Sequence, residues 1–426
     1  MKKAEKIKNS IKETKERRKK QTCKVYQLKL QNLSASDVQL LGRMFLEAKW
    51  LYNYIVADID NRLTAEAWKL RQVEIKTPNG MEKRKIEVLG SQVRQEIVER
   101  IKNNLKALKR VKEKGYKVGR LNFKSEIKSI PLKQYGITYK VVFNQNRIKI
   151  QGVRKKFRVL GLHQIPEGAE ITVGHLVKKP SGYYLYVTCY IPKELDRPKW
   201  NISKAVGVDF GIKNQLTLSN GLAIRWSFPE TKRLKRIQRE LSRRKKDSCN
   251  YLRTKHKLQK EWECIVNARK DIQNKIFALL KCYSLVAIQD ENIKGWHSGW
   301  FGKQIQSTGI GGITSRLKHS LETLILVDSF DATTKVCSNC GCIQELELSD
   351  RVFRCNDCGF EIDRDLNASI NILKRAIKEE TTSLKNLPVD CGKVTPVERE
   401  VTARILGSNP HIRVNFLVEA GSSLLQ

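Results

Sequence analysis

The sequence predicts a multidomain α/β plus β-barrel chain: a small barrel with a helical insert, followed by an α/β domain interrupted by a metal-binding ribbon. Three observations carry this. Apolar residues recur with a period of two from about 136 to 193, which is the signature of half-buried strands. From 204 onward, hydrophobic strand-like runs alternate with long basic helical stretches. Two C-x-x-C pairs then fall close together near the carboxyl end.

Taken in order, residues 1–21 form a basic arm, helical or disordered, rich in lysine and arginine. Lys24 to Leu30 alternates and reads as a strand. Residues 36–68 carry Leu40, Leu41, Met44, Phe45, Ala48, Leu51 and Tyr52 at helical spacing. A second helix spans about 90–114 with the stripe Val93, Ile97, Ile101, Leu105 and Leu108, and Gly115 and Gly119 break it. Trp50, Tyr52 and Tyr54 read as core rather than as stacking platforms. Strands follow at 139–143, 147–151, 157–160, 170–177 and 183–191, and Pro192 and Pro198 mark a linker. The barrel therefore takes 22–35 and 135–200, with 36–134 as a helical lobe inserted into it.

Residues 204–218 read as a buried strand, a tight turn at Gly211 and a second strand. Two very basic helices, about 230–246 and 249–281, form a hairpin, and a hydrophobic strand runs from Leu285 to Ile293. Residues 312–323 look helical and 324–330 strand-like. The α/β domain takes 201–334 and 361–379, the cysteine module 335–360, and a helix of about 365–378 closes the fold. Residues 380–426 lack sustained periodicity and are expected to be largely disordered.

The charge balance narrows the partners. The chain of 426 residues carries 82 Lys+Arg against 44 Asp+Glu, a formal charge of +38. Such self-repulsion is tolerated most simply when the partner is a polyanion, and it argues against an ordinary enzyme of small metabolites. The basic residues recur through helices rather than in one tail, which suits grooves that track a phosphate backbone. No apolar run approaches a membrane span, and the charged first twenty residues lack a signal-peptide core. A cytoplasmic, prokaryotic location is therefore expected, with nucleoid association during action.

Cys337-Ser-Asn-Cys340 and Cys355-Asn-Asp-Cys358 are separated by 14 residues. Two such knuckles make a tetrahedral, structural Zn²⁺ site on a short ribbon. Cys342 lies close by, but the paired spacing favours the other four.

Three carboxylates suit a different chemistry. Cleaving a phosphodiester with metals needs acidic side chains that converge on two cations about 3.5–4 Å apart. An RNase H-like sheet supplies them from its first strand, the end of a later strand and a late helix. Asp209, in the apolar run AVGVDFG, fits the first role, and Gly207 and Gly211 leave room beside it. A turn aspartate that caps the strand is the alternative. Asp365, in DRDLNASINI, fits the last role, although an aspartate there also suits a helix N-cap, and Asn367 is available nearby. For the middle role, strand alternation puts Gln289 and Glu291 on one face and Asp290 on the other. Glu291 is the candidate ligand and Asp290 the fallback; a strand end with both facing solvent stays open.

Residues 22–378 resemble the TnpB (OrfB) family of IS200/IS605-type transposons and the related miniature type V CRISPR effectors. The resemblance rests on LGSQVRQEIVERI, KVGRLNFKS, VGVDFGIKN, TTKVCSNCG, FRCNDCGF and DRDLNASINIL, in that order. It implies an RNA-guided DNA endonuclease: a wedge barrel and helical recognition lobe holding a transposon-derived guide RNA, and a RuvC-type site that cuts double-stranded target DNA beside a short motif. It implies Asp209, Glu291 and Asp365 as the Mg²⁺-binding catalytic triad, and Cys337, Cys340, Cys355 and Cys358 as zinc ligands. Many relatives have Glu-Asp-Leu-Asn where this chain has Gln289-Asp290-Glu291-Asn292, so same-face Glu291 is expected to restore the carboxylate. A nuclease-impaired, RNA-guided repressor and a CRISPR effector are the alternatives. A strand-joining transposase lacks its His-hydrophobe-His plus Tyr constellation here. Monomer or dimer is left open.

Overall fold

A computed structural model describes residues 3–77, 80–193, 202–228, 230–299, 302–321, 323–347, 349–379, 396–407 and 411–417. The chain divides into two compact units, Met1–Arg197 and Pro198–Gln426. No described helix is long and apolar enough to cross a membrane.

The first unit opens with helix α1 (Lys3–Lys19), so the basic arm is helical. It continues through β1 (Gln21–Gln31), α2 (Ala35–Ala57), a single turn α3 (Ile59–Arg62), β2 (Gln72–Thr77), β3 (Gly80–Lys85) and α4 (Ser91–Glu113). Six strands follow: β4 (Ser129–Leu132), β5 (Tyr139–Val142), β6 (Arg147–Ile150), β7 (Phe157–Leu160), β8 (Glu170–Lys179) and β9 (Gly182–Pro192). They join β1 in one seven-stranded sheet of order β4-β8-β9-β1-β7-β6-β5. This is the expected near-barrel, but β4 and β5 remain its two ends in that order. Alternation decides the faces: Tyr183, Leu185, Val187, Cys189 and Ile191 of β9 are buried while the residues between them are half-exposed.

Three expectations need correction here. The helix expected over 36–68 ends at Ala57, because Asp58 leaves helical geometry and caps the next turn instead. The lobe over 36–134 is not all helical: β2 and β3 form a hairpin, registered from Gln72↔Lys85 to Thr77↔Gly80. Its last segment, β4, pairs with β8 and so belongs to the barrel sheet. Trp50 and Tyr52 are core residues, as their helical spacing predicts. Of the two linker prolines, Pro192 ends β9, and Pro198 lies outside the described residues.

The second unit contains β10 (Ile202–Asp209), β11 (Leu216–Leu218), β12 (Leu222–Trp226), α5 (Lys232–Ser242), α6 (Cys249–Leu280), β13 (Tyr283–Gln289), α7 (Ile293–Ser298), α8 (Gly302–Thr308), α9 (Ile310–Ser320) and β14 (Leu324–Val327). Then come β15 (Val352–Arg354), β16 (Glu361–Asp363), α10 (Arg364–Glu379), α11 (Pro396–Leu406) and β17 (Ile412–Phe416). The main sheet has the order β14-β13-β10-β11-β12-β17. β10, β13 and β14 run parallel, whereas β11, β12 and β17 alternate antiparallel from β10 outward. One face of the sheet packs on α6 and α9 through Ile272, Ile276, Leu279, Ile313 and Leu317. The other packs on α10 through Ile372, Leu373 and Ala376.

The tail expectation is also corrected. Residues 380–395 and 418–426 lie outside the described residues, but 396–407 and 411–417 are folded. Val401 and Leu406 of α11 join the core beside α6, and β17 pairs with β12 from Leu222↔Phe416 to Trp226↔Ile412. A short strand whose partner lies nearly two hundred positions earlier leaves no local periodic signal.

Candidate metal centres and acidic cleft

Asp209 is the last residue of β10, and its position follows from Gly207. A Cβ on Gly207 would stand 2.1 Å from the Ser369 carbonyl and 2.8 Å from the Leu373 amide. Glycine thus lets the backbone of α10 lie directly on β10, which brings the amino end of that helix to the end of the strand. There, Asp363 accepts from the amides of Asp365 at 3.0 Å and Leu366 at 3.1 Å. Asp363 therefore caps α10, and Asp365 is released from the N-cap role that its sequence position allows. Its carboxylate lies 3.5 Å from Arg364.

Glu291 reaches the same place by a different route from the one the sequence suggests. β13 stops at Gln289, so strand alternation does not extend to 291. A tight turn, with the Glu291 amide donating to the Gln289 carbonyl at 2.9 Å, delivers the side chain instead. The fallback, Asp290, is exposed, ion-paired with Lys318 and not part of the cleft lining. Gln289 does not line the cleft; its amide is hydrogen-bonded to the loop after β14.

Asp209, Glu291 and Asp365 line one cleft of about 940 Å³ in this unit. Burial pushes the Asp209 pKa well above the usual carboxylate range, and the charges of Asp365 and Glu291 push it further, against the pull of Arg364. Burial raises Glu291 to about 7. Asp209 thus senses the charge of the other two, although the three are not the tightest set: among the described residues, only the four cysteines place three or more ligand atoms within 4.8 Å of one another. Groups that bracket two cations about 3.5–4 Å apart need not approach each other that closely. Lys213, Arg225, Lys335, Arg351 and Arg364 line the same cleft, so an acidic floor has a basic rim.

Cys337, Cys340, Cys355 and Cys358 come together as the spacing predicts. Cys337 Sγ lies 3.8 Å from Cys358 Sγ, and Cys340 Sγ 3.5 Å from Cys355 Sγ. Sulfurs about 2.3 Å from one tetrahedral ion would stand roughly 3.7 Å apart, so zinc fits. Gly341 and Gly359, with φ of 84° and 69°, turn the chain after each knuckle. Cys342 stays outside the quartet, and its carbonyl accepts from the Cys337 amide at 2.8 Å.

The sequence did not single out Asn371 and Lys374, and it left Asn367 as a spare ligand. Asn367 accepts from the Ser338 amide at 2.9 Å and donates to the Val336 carbonyl at 2.7 Å. Asn371 also donates to Val336 O, and Lys374 to Ser338 O. These side chains dock the first knuckle on α10. Their spacing along one helical face is the signal that was legible.

The second unit is a mixed α/β domain with an acidic cleft and a four-cysteine module seated on its last helix. Residues 187–297 match the OrfB family of IS605, described as "Probable transposase", and residues 313–372 match the "Cas12f1-like, TNB domain". Both matches support a likeness to the TnpB (OrfB) family over those residues. It is 29% identical over 220 residues to a "Putative RNA-guided DNA endonuclease" of Streptomyces pristinaespiralis, covering 49% of this chain and 54% of that protein. It is likewise 29% identical over 216 residues to "Putative RNA-guided DNA endonuclease InsQ" of Escherichia coli (strain K12), covering 44% and 53%. The matched region thus spans about half the length of these curated relatives. A solved structure, "Cryo-EM structure of the Cas12f1-sgRNA-target DNA complex", aligns with TM-score 0.43 and 14% identity over 80% of this chain and 83% of that one.

Proposed function

We propose that this chain is an RNA-guided DNA endonuclease with a RuvC-type centre formed by Asp209, Glu291 and Asp365. One observation carries the proposal: three carboxylates from a first strand, a later strand end and a late helix meet in one basic-rimmed cleft. The strand order supports it. Setting aside the edge strand β17, the sheet counted from β10 reads third, second, first, fourth, fifth, with the first three antiparallel and the last two parallel to the first, the order that an RNase H-like reading expects.

Mg²⁺ fits this donor set. All three candidate ligands are hard carboxylates, and burial together with the charges of Asp365 and Glu291 lifts Asp209, a cost that divalent cations would relieve. Mg²⁺ held there would supply Lewis acidity for water activation and for neutralising developing charge. The chain's own residues do the rest. Asp209, Glu291 and Asp365 would hold the ions, while Lys213, Arg225, Lys335, Arg351 and Arg364 would grip the phosphates on either side. Gly207 keeps strand and helix in contact. Exposed Lys232, Lys235, Arg236 and Arg239 on α5 would lie along the guide–target heteroduplex, reading its shape and phosphates. The near-barrel and its helical lobe would hold the guide RNA, and the four-cysteine module would contact target nucleic acid.

The test is to purify the protein with its native locus, sequence the RNA that comes with it, and offer a matched plasmid. Mg²⁺-dependent cleavage should fall at least about 10²-fold in Asp209→Asn. Recovery of random RNA fragments, or cleavage untouched by Asp209→Asn, would overturn the proposal.

A further inference from the structure

Gln289 ends the strand that precedes Glu291, and both ends of its amide are committed. Nε2 faces three carbonyls of the loop after β14: Asp331 O at 2.9 Å, Asp328 O at 3.0 Å and Ser329 O at 3.3 Å. Oε1 accepts from Thr333 Oγ1 at 3.1 Å. Thr333 is buried, and its carbonyl accepts from Asn371 Nδ2 at 2.8 Å. Asn371 stands on α10, the helix that bears Asp365. Asn371 and Asn367 then both donate to Val336 O at 2.7 Å, next to the first ligand cysteine. One hydrogen-bonded path therefore runs from the strand end of Glu291, through residues 328–333, to the helix of Asp365 and into the first knuckle.

We propose that segment 328–338 is a clamp that sets the spacing of Glu291 and Asp365, with Gln289 as its positioning residue and the four-cysteine module holding it in place. The inference rests on the cleft being a divalent-metal centre. The chemistry singles out an amide at position 289. A carboxylate has the same shape but cannot donate, so it would face three carbonyl oxygens with a negative charge. The rival is that position 289 is an idle ligand site. The register Val208↔Ile288 sets residue 289 beside Asp209, so a glutamate there would add a fourth carboxylate close to the first.

Gln289→Glu separates the two with almost no change in size. Mn²⁺ binding to the full chain, followed by electron paramagnetic resonance, reads cation affinity without requiring cleavage. Asp209→Asn and Glu291→Gln set the level of a damaged cleft. The clamp predicts that Gln289→Glu and Thr333→Val each weaken Mn²⁺ binding about tenfold or more. Thr333→Ser, which keeps the hydroxyl, should bind as the wild type does, with the thermal midpoint unchanged. Equal or tighter Mn²⁺ binding by Gln289→Glu overturns the clamp while leaving the metal centre intact. Unchanged binding in both Asp209→Asn and Glu291→Gln overturns the metal centre and the clamp together.

Discussion

Replacing Gly207 by alanine puts a methyl group where the backbone of α10 already lies. The new carbon would be 2.1 Å from Ser369 O and 2.8 Å from the Leu373 amide nitrogen, and the Leu373 Cβ is only 2.9 Å away. Backbone atoms cannot swing aside, so relief requires β10 and α10 to part by about 1 Å, a shift that overpacked cores accommodate at about 1–3 kcal/mol. Asp209 is two residues from the substituted position and Asp365 four residues before Ser369, so the same shift enters the carboxylate spacing directly. A misplacement of about 1 Å typically costs about 10²-fold in rate. The assay is single-turnover cleavage of a matched duplex by RNA-loaded protein, alongside thermal unfolding and duplex binding. The expected result is a rate loss near that size, a lowered thermal midpoint and retained binding. Trimming Leu373 to alanine should not rescue the variant, because the closest clashes are with main chain. A Gly207→Ala protein with wild-type rate and midpoint would refute the direct strand–helix contact.

Glu47 is fully buried and accepts from the Val88 and Leu89 amides at 2.9 and 3.1 Å and from Arg43 Nε at 2.9 Å. Glu47→Ala leaves those amides unpaired and should cost about 2–4 kcal/mol in urea unfolding of the first unit; a loss below about 1 kcal/mol would contradict this role. In the second unit, burial holds the Glu291 carboxyl up at about 7, against an ordinary glutamate value of 4.5. Its neutral form is favoured in the fold, so metal-free stability falls as pH rises from 4.5 through 7, and Asp209 acts in the same direction. Mg²⁺ should therefore raise the thermal midpoint more at about pH 8 than at about pH 5, by a few degrees, and an equal rise at both would contradict the buried-carboxylate account. Among the described residues, the four-cysteine module has a buried core of Cys337, Phe353 and Cys355 with a few partly buried neighbours, too small to fold without a metal. Chelation should release about one zinc per chain and open the loops between the knuckles to protease while the main sheet persists. Protease resistance of the stripped module would contradict a zinc-dependent fold.

Much of this architecture was legible because it is locally encoded. The strands from 139 to 191 and the helix α4 follow from periods of two and 3.6, and the cysteine quartet from its spacing. Glu291 does line the cleft with Asp209 and Asp365, but a turn and not strand alternation delivers it. Asp365 was ambiguous because its local sequence cannot reveal that Asp363 already caps the helix. The β2–β3 hairpin was hidden among helical neighbours, although QVEIKT alternates and Gly80 follows a Pro-Asn pair. β17 was illegible in principle: five residues acquire their strand from the exposed edge of β12, a contact that no local pattern records.

The most direct measurement is Mg²⁺-dependent cleavage by the RNA-loaded chain compared with Glu291→Gln and Asp290→Asn. Asp290, paired with Lys318 away from the cleft, should tolerate its change with little loss of rate, whereas Glu291→Gln should lose about 10²-fold or more. Cleavage that survives Glu291→Gln, or that fails with Asp290→Asn instead, would contradict the assignment of the third carboxylate and with it the centre described here.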